Sequence, residues 1–185
     1  MEVSSILTGT TKIMLIIKKV IEKTKADELE KILLSDNFPW YWNESTLIGK
    51  ESSLNSFMFT HNFVVDGKVN SDYFYLLEPI FVAVEKHAKI KSVLRIKANL
   101  LIKQELTEKE LEDEIHTDID SSDYISFVYY VTDSDGDTVL FDNDETITVS
   151  PQKNTGVLFT SNMKHRATSP MLHKRRVVLN FVFKI

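Results

Sequence analysis

"DYISFVYYVTDSDGDTVLFD", residues 123–142, decides how the chain folds. Its two ends are β-branched and aromatic, and "DSDGD" between them is a turn signal. Read with period two, Tyr124, Ser126, Val128 and Tyr130 share one face, and Ile125, Phe127, Tyr129 and Val131 share the other. The second set is wholly apolar or aromatic and reads as core. The same grammar runs outward in both directions. "SVLRIKANLLIK" (92–103) precedes the stretch, while "TITVS", "TGVLFTS" and "RRVVLNFVFKI" follow it, spaced by "DNDE" and "PQKNTG". About six to eight short strands at this spacing predict a sandwich or barrel.

Ahead of residue 92 the pattern differs. "KIMLIIKKV" (12–20) reads as one strand, but "KADELEKILLSDNF" (25–38) sets Leu29, Ile32 and Leu33 at helical spacing. "SDYFYLLEPIFVAVEKHA" (71–88) opens on Ser71 as a cap and carries Phe74, Leu77, Phe81 and Val84 along one side, with Pro79 as a kink or break. These helices are expected to buttress one sheet. No repeat and no Pro/Gly/Ser-rich linker divides the sequence, so residues 1–185 are expected to form a single domain, with helical support over about 20–90 and a β-core over about 92–185.

Composition narrows the function. The chain has 185 residues and a net charge of -5, against the basic face expected of a dedicated nucleic-acid binder. With no cysteine it can build neither a disulfide framework nor a thiol nucleophile, so any metal must sit on His, Asp or Glu. The apolar run near the start lacks a basic lead-in and is too short to span a bilayer, so the protein is expected to be cytoplasmic with no membrane partner.

"EIHTDID" (114–120) then raises the question of a metal. His116 and Asp118 stand two apart in what reads as extended chain, so both side chains leave the same face. Two histidines and one carboxylate bind one face of an iron and leave the other positions open. Of the remaining histidines, His165 in "SNMKHRATSP", just after an apolar strand, is the best third ligand. Alone, the pair is also what a solvated acidic strand end looks like.

The order of the later elements resembles the 2-oxoglutarate and Fe(II)-dependent dioxygenases, most closely the prolyl-4-hydroxylase-like branch, including the short versions found in phage genomes. "RIKANLL", "HTD", "YYVTDSDGDTVLF", "PQKN", "KHRAT" and "RRVVLNFVF" carry the resemblance, which extends back to "FPWYWN" (38–43). It implies a double-stranded β-helix, a jelly-roll of the cupin kind, with helices on the major sheet. It also implies Fe(II), 2-oxoglutarate and O2, with hydroxylation of an unactivated C–H and release of succinate and CO2.

Carried over, the iron ligands are His116, Asp118 and His165. The group pairing with the distal carboxylate of 2-oxoglutarate is an arginine at the start of the last strand. Arg175 and Arg176 are adjacent, and parity favours Arg176, which shares a face with Val178, Asn180 and Val182; Arg175 then faces solvent. Tyr130 matches a hydroxyl that helps bind the same carboxylate, or else is a rim aromatic. Asn99 matches a residue touching the oxo-acid end, or else is a polar strand end.

"GDT" (136–138) departs from the branch, where two glycines are usual. His173 reads as solvated, and Trp40 and Trp42 as covering the core. The branch points to a prolyl or other side chain of a protein or peptide, with a small molecule close behind and nucleic acid less favoured. "FPWYW" and "FTHNFVVDGKVNSDYF" (59–74) are the candidate substrate walls. The alternatives are a β-sandwich binding module without oxygen chemistry and a cupin-type metalloenzyme indifferent to the oxo-acid; fold alone does not separate them.

Overall fold

The computed structural model describes residues 2–5, 13–45 and 57–185. Along the chain run β1 (Glu2–Ser5), β2 (Met14–Lys18), α1 (Lys23–Leu33), β3 (Tyr41–Asn43), β4 (Met58–Val65), β5 (Lys68–Val69), a 3-10 turn (Asp72–Leu77), α2 (Glu78–Val84) and β6 (Ser92–Ile102). Then come α3 (Glu108–Asp113), β7 (Tyr124–Tyr130), β8 (Thr138–Asp142), β9 (Glu145–Val149), β10 (Thr155–Thr160), β11 (Lys164–Ala167) and β12 (Arg175–Lys184). Among these residues the strands form a major sheet, ordered β1-β2-β10-β7-β12-β6-β4-β3 with β5 on β4, and a minor sheet, β11-β8-β9. Every pairing is antiparallel. This is the expected double-stranded β-helix with helices on its larger sheet.

Two apolar clusters explain why the sheets hold. On the outer face of the major sheet, Ile125, Phe127 and Tyr129 of β7 and Val177, Leu179, Phe181 and Phe183 of β12 pack against Leu29 and Leu33 of α1 and Ile80 and Val84 of α2. On the inner face, Val128, Tyr130, Val157, Phe159 and Val178 meet Leu140 and Val149 from the minor sheet. The alternation read in 123–131 therefore divides β7 between the two layers, as period two requires. Burying a large apolar side chain contributes about 1.5–3 kcal/mol, so both layers are firmly driven.

Three local devices fix the frame. Ser71 caps the 3-10 turn by accepting from the Tyr73 amide. Pro79 sits in the first turn of α2, where its missing N–H costs nothing, so it starts that helix rather than kinking it. Lys153 pairs with both Asp27 and Glu30 of α1, while Asn154, at φ 60, ties the same turn to β2's exit through Ile21 and to Tyr129.

The first half holds more strand than the sequence suggests. β3, β4 and β5 lie in the stretch expected to be helical support, and β4 pairs directly with β6. A bulge between Asn62 and Val64 breaks its alternation, so buried Phe63 and Val64 are consecutive and no period shows. β2 is shorter than the strand expected over 12–20, and Lys12 lies outside the described residues. Trp40 packs on the outer core as expected, but Trp42, on edge strand β3, is 54% exposed.

Candidate metal centre

His116 and Asp118 do not lie on a regular strand. A single antiparallel bridge joins His116 to His165 through paired backbone hydrogen bonds of 3.0 and 2.8 Å, and the Asp118 amide donates to the Ser161 carbonyl at 3.1 Å. That pairing sets the two imidazoles side by side, with ring centroids 4.4 Å apart. One ligand atom from each of His116, Asp118 and His165 falls within 4.8 Å of the others. Two imidazole nitrogens and one carboxylate oxygen are the donor set that suits Fe(II) with open positions.

Hydrogen bonds fix the tautomers. The His116 Nδ1 lies 2.8 Å from the Glu114 carbonyl, and the His165 Nδ1 lies 3.0 Å from the Met163 carbonyl. A carbonyl only accepts, so both Nδ1 atoms carry the proton and both Nε2 lone pairs remain for a metal. Burial holds the His165 pKa below the usual imidazole value, with help from His116 and Arg95 and against Asp118 and the Met163 carbonyl. The ring is accordingly neutral at pH 7, the form that ligates.

Asp118 is held from both sides. Its Oδ1 accepts from Arg95 at 2.5 Å, and its Oδ2 accepts from the Ser126 hydroxyl at 2.6 Å. Burial pushes this carboxyl up, but His165, Arg95, Ser126 and His116 together outweigh it and keep it below the ordinary carboxylate range.

The three ligands sit at one end of a cavity of about 560 Å³ that Asn99 and Arg176 also line. Arg176 is 3% exposed, whereas Arg175 points to solvent as parity required. The Arg176 Nε donates to the Gly136 carbonyl at 2.7 Å, and Nη2 donates to the Thr138 hydroxyl at 2.8 Å. Among the described residues it has no carboxylate at ion-pair distance. A buried guanidinium without an anion is costly, and a ligand carboxylate would complete it. Asn99 and Asn180 each bring a buried side-chain oxygen with no partner to the same cavity. The residues therefore fit both an iron and a dianionic cosubstrate.

The structure places Tyr130 one hydrogen bond further out than the resemblance implies. It is fully buried, is not among the cavity's lining residues, and donates to Thr138 Oγ1 at 2.9 Å. Burial pushes its phenol up to about 12, against the pull of Arg176 and Thr138, so it stays a donor. Thr138 is the residue that sequence reasoning missed. It lies in the "GDT" segment where the chain departs from the branch, and only the folded approach of β8 to β12 reveals it as Arg176's brace.

Residues 108–184 match the family model described as the 2OG-Fe(II) oxygenase superfamily. All three triad residues and Arg176 lie within that match. No curated protein matches the oxygenase by sequence. Its fold is shared by a 2OG-Fe(II) oxygenase family oxidoreductase from Burkholderia pseudomallei, at TM-score 0.69 and 13% identity over 94% of this chain and 85% of the other. A Pseudomonas putida prolyl-4-hydroxylase aligns at TM-score 0.62 and 13% identity, covering 92% and 91%. HygX from Streptomyces hygroscopicus, solved with nickel, 2-oxoglutarate and hygromycin B, aligns at TM-score 0.59 and 10% identity, covering 94% and 83%. The oxygenase uses Fe(II), 2-oxoglutarate and O2. Among its described residues no helix is long and apolar enough to cross a membrane.

Proposed function

We propose that the oxygenase hydroxylates an unactivated C–H of a prolyl or other side chain in a protein or peptide, with His116, Asp118 and His165 holding the iron and Arg176 holding the distal carboxylate of 2-oxoglutarate. One observation carries this reading: the ligand triad and an unpaired, buried guanidinium lie in a single cavity. Bound iron and 2-oxoglutarate supply the oxidising chemistry, with succinate and CO2 released. The chain's own residues position and exclude. Arg176 offers a planar fork, and Thr138 adds a donor. Its oxygen already accepts from both Tyr130 and Arg176, so its own O–H is left for the cavity. Tyr130 acts through Thr138 as a positioning residue, and Asn99 offers a polar contact partway along the cavity.

A peptide substrate is favoured by Tyr41 on edge strand β3, whose register sets it on the face of Thr60 and the cavity-lining Met58. Trp42 stacks on Phe57 with centroids 4.5 Å apart, and both backbone polar groups of Phe57 bond the side chain of Gln104, which lines the cavity. Tyr41 and Trp42 are both largely exposed on β3, on opposite faces of the strand. The Pseudomonas putida enzyme of the same fold is a prolyl-4-hydroxylase. The test is aerobic incubation with Fe(II), 2-oxoglutarate and a library of prolyl peptides, followed by mass spectrometry. A gain of one oxygen matched by equimolar succinate supports the reading. Succinate release stimulated only by small molecules would transfer the assignment to them.

A further inference from the structure

The cavity is lined by five cationic residues, Arg95, Lys97, Lys164, Arg166 and Arg176, against two carboxylates, Glu114 and Asp118. The whole chain carries a net charge of -5, so this excess is local. Arg95 is committed to Asp118, and Arg176 lies at the cosubstrate end. Lys97, Lys164 and Arg166 remain. Among the described residues none of the three has a carboxylate within ion-pair distance, and the Arg166 Nε is buried without a partner.

Their placement says what they serve. Register on β6 runs from Arg95, beside the triad, through Lys97 and Asn99 to Leu101, which stands opposite Arg176. Lys97 therefore lies toward the metal end, across from Asn180, whose side-chain oxygen is also unpartnered. Lys164 and Arg166 flank the ligand His165 on β11, and alternation turns their side chains to the face opposite its imidazole. The surplus cation at the reacting end of the cavity, where a substrate C–H must sit, is Lys97. Burial, with Arg95, pushes the Lys97 ammonium down to about 8 against the pull of Asp118, as expected of a cation awaiting a counter-charge.

We infer that the substrate presents a carboxylate to the metal end of the cavity, bound by Lys97. The inference rests on the oxygenase reading above and narrows its substrate to acids, whether acidic peptides or small molecules. Neutral analogues of the same shape leave Lys97 unpaired and are rejected.

The test uses full-length protein loaded anaerobically with Fe(II) and saturating 2-oxoglutarate, titrated calorimetrically with matched probes. These are N-acetyl-L-proline against its amide, N-acetyl-L-aspartate against N-acetyl-L-asparagine, and an oligothymidylate as a phosphate polymer. At least one acid should bind tenfold or more tighter than its neutral partner. Lys97→Met should erase that preference, Lys97→Arg should restore it, and 2-oxoglutarate affinity should stay within about twofold in both. Equal binding of every acid and its neutral partner, or no binding by any acid, overturns the inference, as does tight binding by oligothymidylate alone. A tenfold loss of 2-oxoglutarate affinity in Lys97→Met also overturns it, assigning Lys97 to the cosubstrate while the oxygenase reading stands. If the parent binds neither Fe(II) nor 2-oxoglutarate, the oxygenase reading itself fails.

Discussion

Thr138→Val isolates the brace behind Arg176. Valine keeps the shape and replaces one oxygen with a methyl group, so cavity effects are small, but the Arg176 Nη2 and the Tyr130 hydroxyl both lose their acceptor. Both donors are almost completely buried, and water cannot readily replace the lost partner. An unsatisfied buried polar group costs about 1–3 kcal/mol, more for a charged one, so the substitution should destabilise by roughly 2–5 kcal/mol. Against a typical total of about 5–15 kcal/mol that is a large fraction.

Tyr130→Phe should cost only about 0.5–1.5 kcal/mol, since Thr138 keeps Arg176. In the double variant the orphan phenol is gone, so the combined loss should fall short of the sum by about 1 kcal/mol. Urea denaturation of the metal-free proteins reads all four corners of this cycle, provided the m-values agree. Titration with 2-oxoglutarate should show about a tenfold loss for Thr138→Val and little change for Tyr130→Phe. A Thr138→Val protein as stable as the parent, or additive losses in the double variant, would refute the bracing role.

Gly136→Ala would place a Cβ 2.5 Å from the Thr168 carbonyl oxygen and 3.0 Å from Arg176 Cδ. The first neighbour is backbone and cannot step aside, so overpacking of about 1–3 kcal/mol and weaker 2-oxoglutarate binding are expected, read by thermal melts with and without the cosubstrate. His61 is held between the Pro39 carbonyl and the Ser71 hydroxyl at 2.8 and 2.7 Å, and burial keeps its pKa below the ordinary value despite the carbonyl. With the folded pKa depressed, its contribution is complete above the unfolded value of about 6.5 and is lost as pH falls through that value toward the folded one. Stability of the metal-free parent should therefore drop more steeply over that window than that of His61→Gln, and identical slopes would contradict the assignment.

Strands β7 and β12 were legible because each divides cleanly between an apolar outer face and a mixed inner one, with Arg176 falling on the inner side by register. β4 was not, because the bulge at Asn62 interrupts its period and buried Thr60 and His61 disguise it as polar. α3 went unread although Thr107 and Glu110 form a capping box, a local signal that hydrophobic periodicity does not register. His173 is half exposed as expected, yet it meets Asp135, which also accepts the amides of residues 171–173 and so fixes the turn before β12. His116 and Asp118 could be singled out from spacing and order, whereas the partner of Arg176 could not. Thr138 acquires its role only when β8 folds over β12, and nothing local to "GDT" encodes that approach.

The central claim is that one cavity binds iron at His116, Asp118 and His165 and a 2-oxo acid against Arg176. It is tested most directly by anaerobic titration of the metal-free protein with Fe(II) and 2-oxoglutarate, following the weak visible charge-transfer band of an iron-bound 2-oxo acid. The parent should develop the band, His116→Ala should lose it, and Arg176→Ala should need at least tenfold more 2-oxoglutarate to reach it. Normal iron binding without any band, or a band indifferent to both substitutions, would contradict the account.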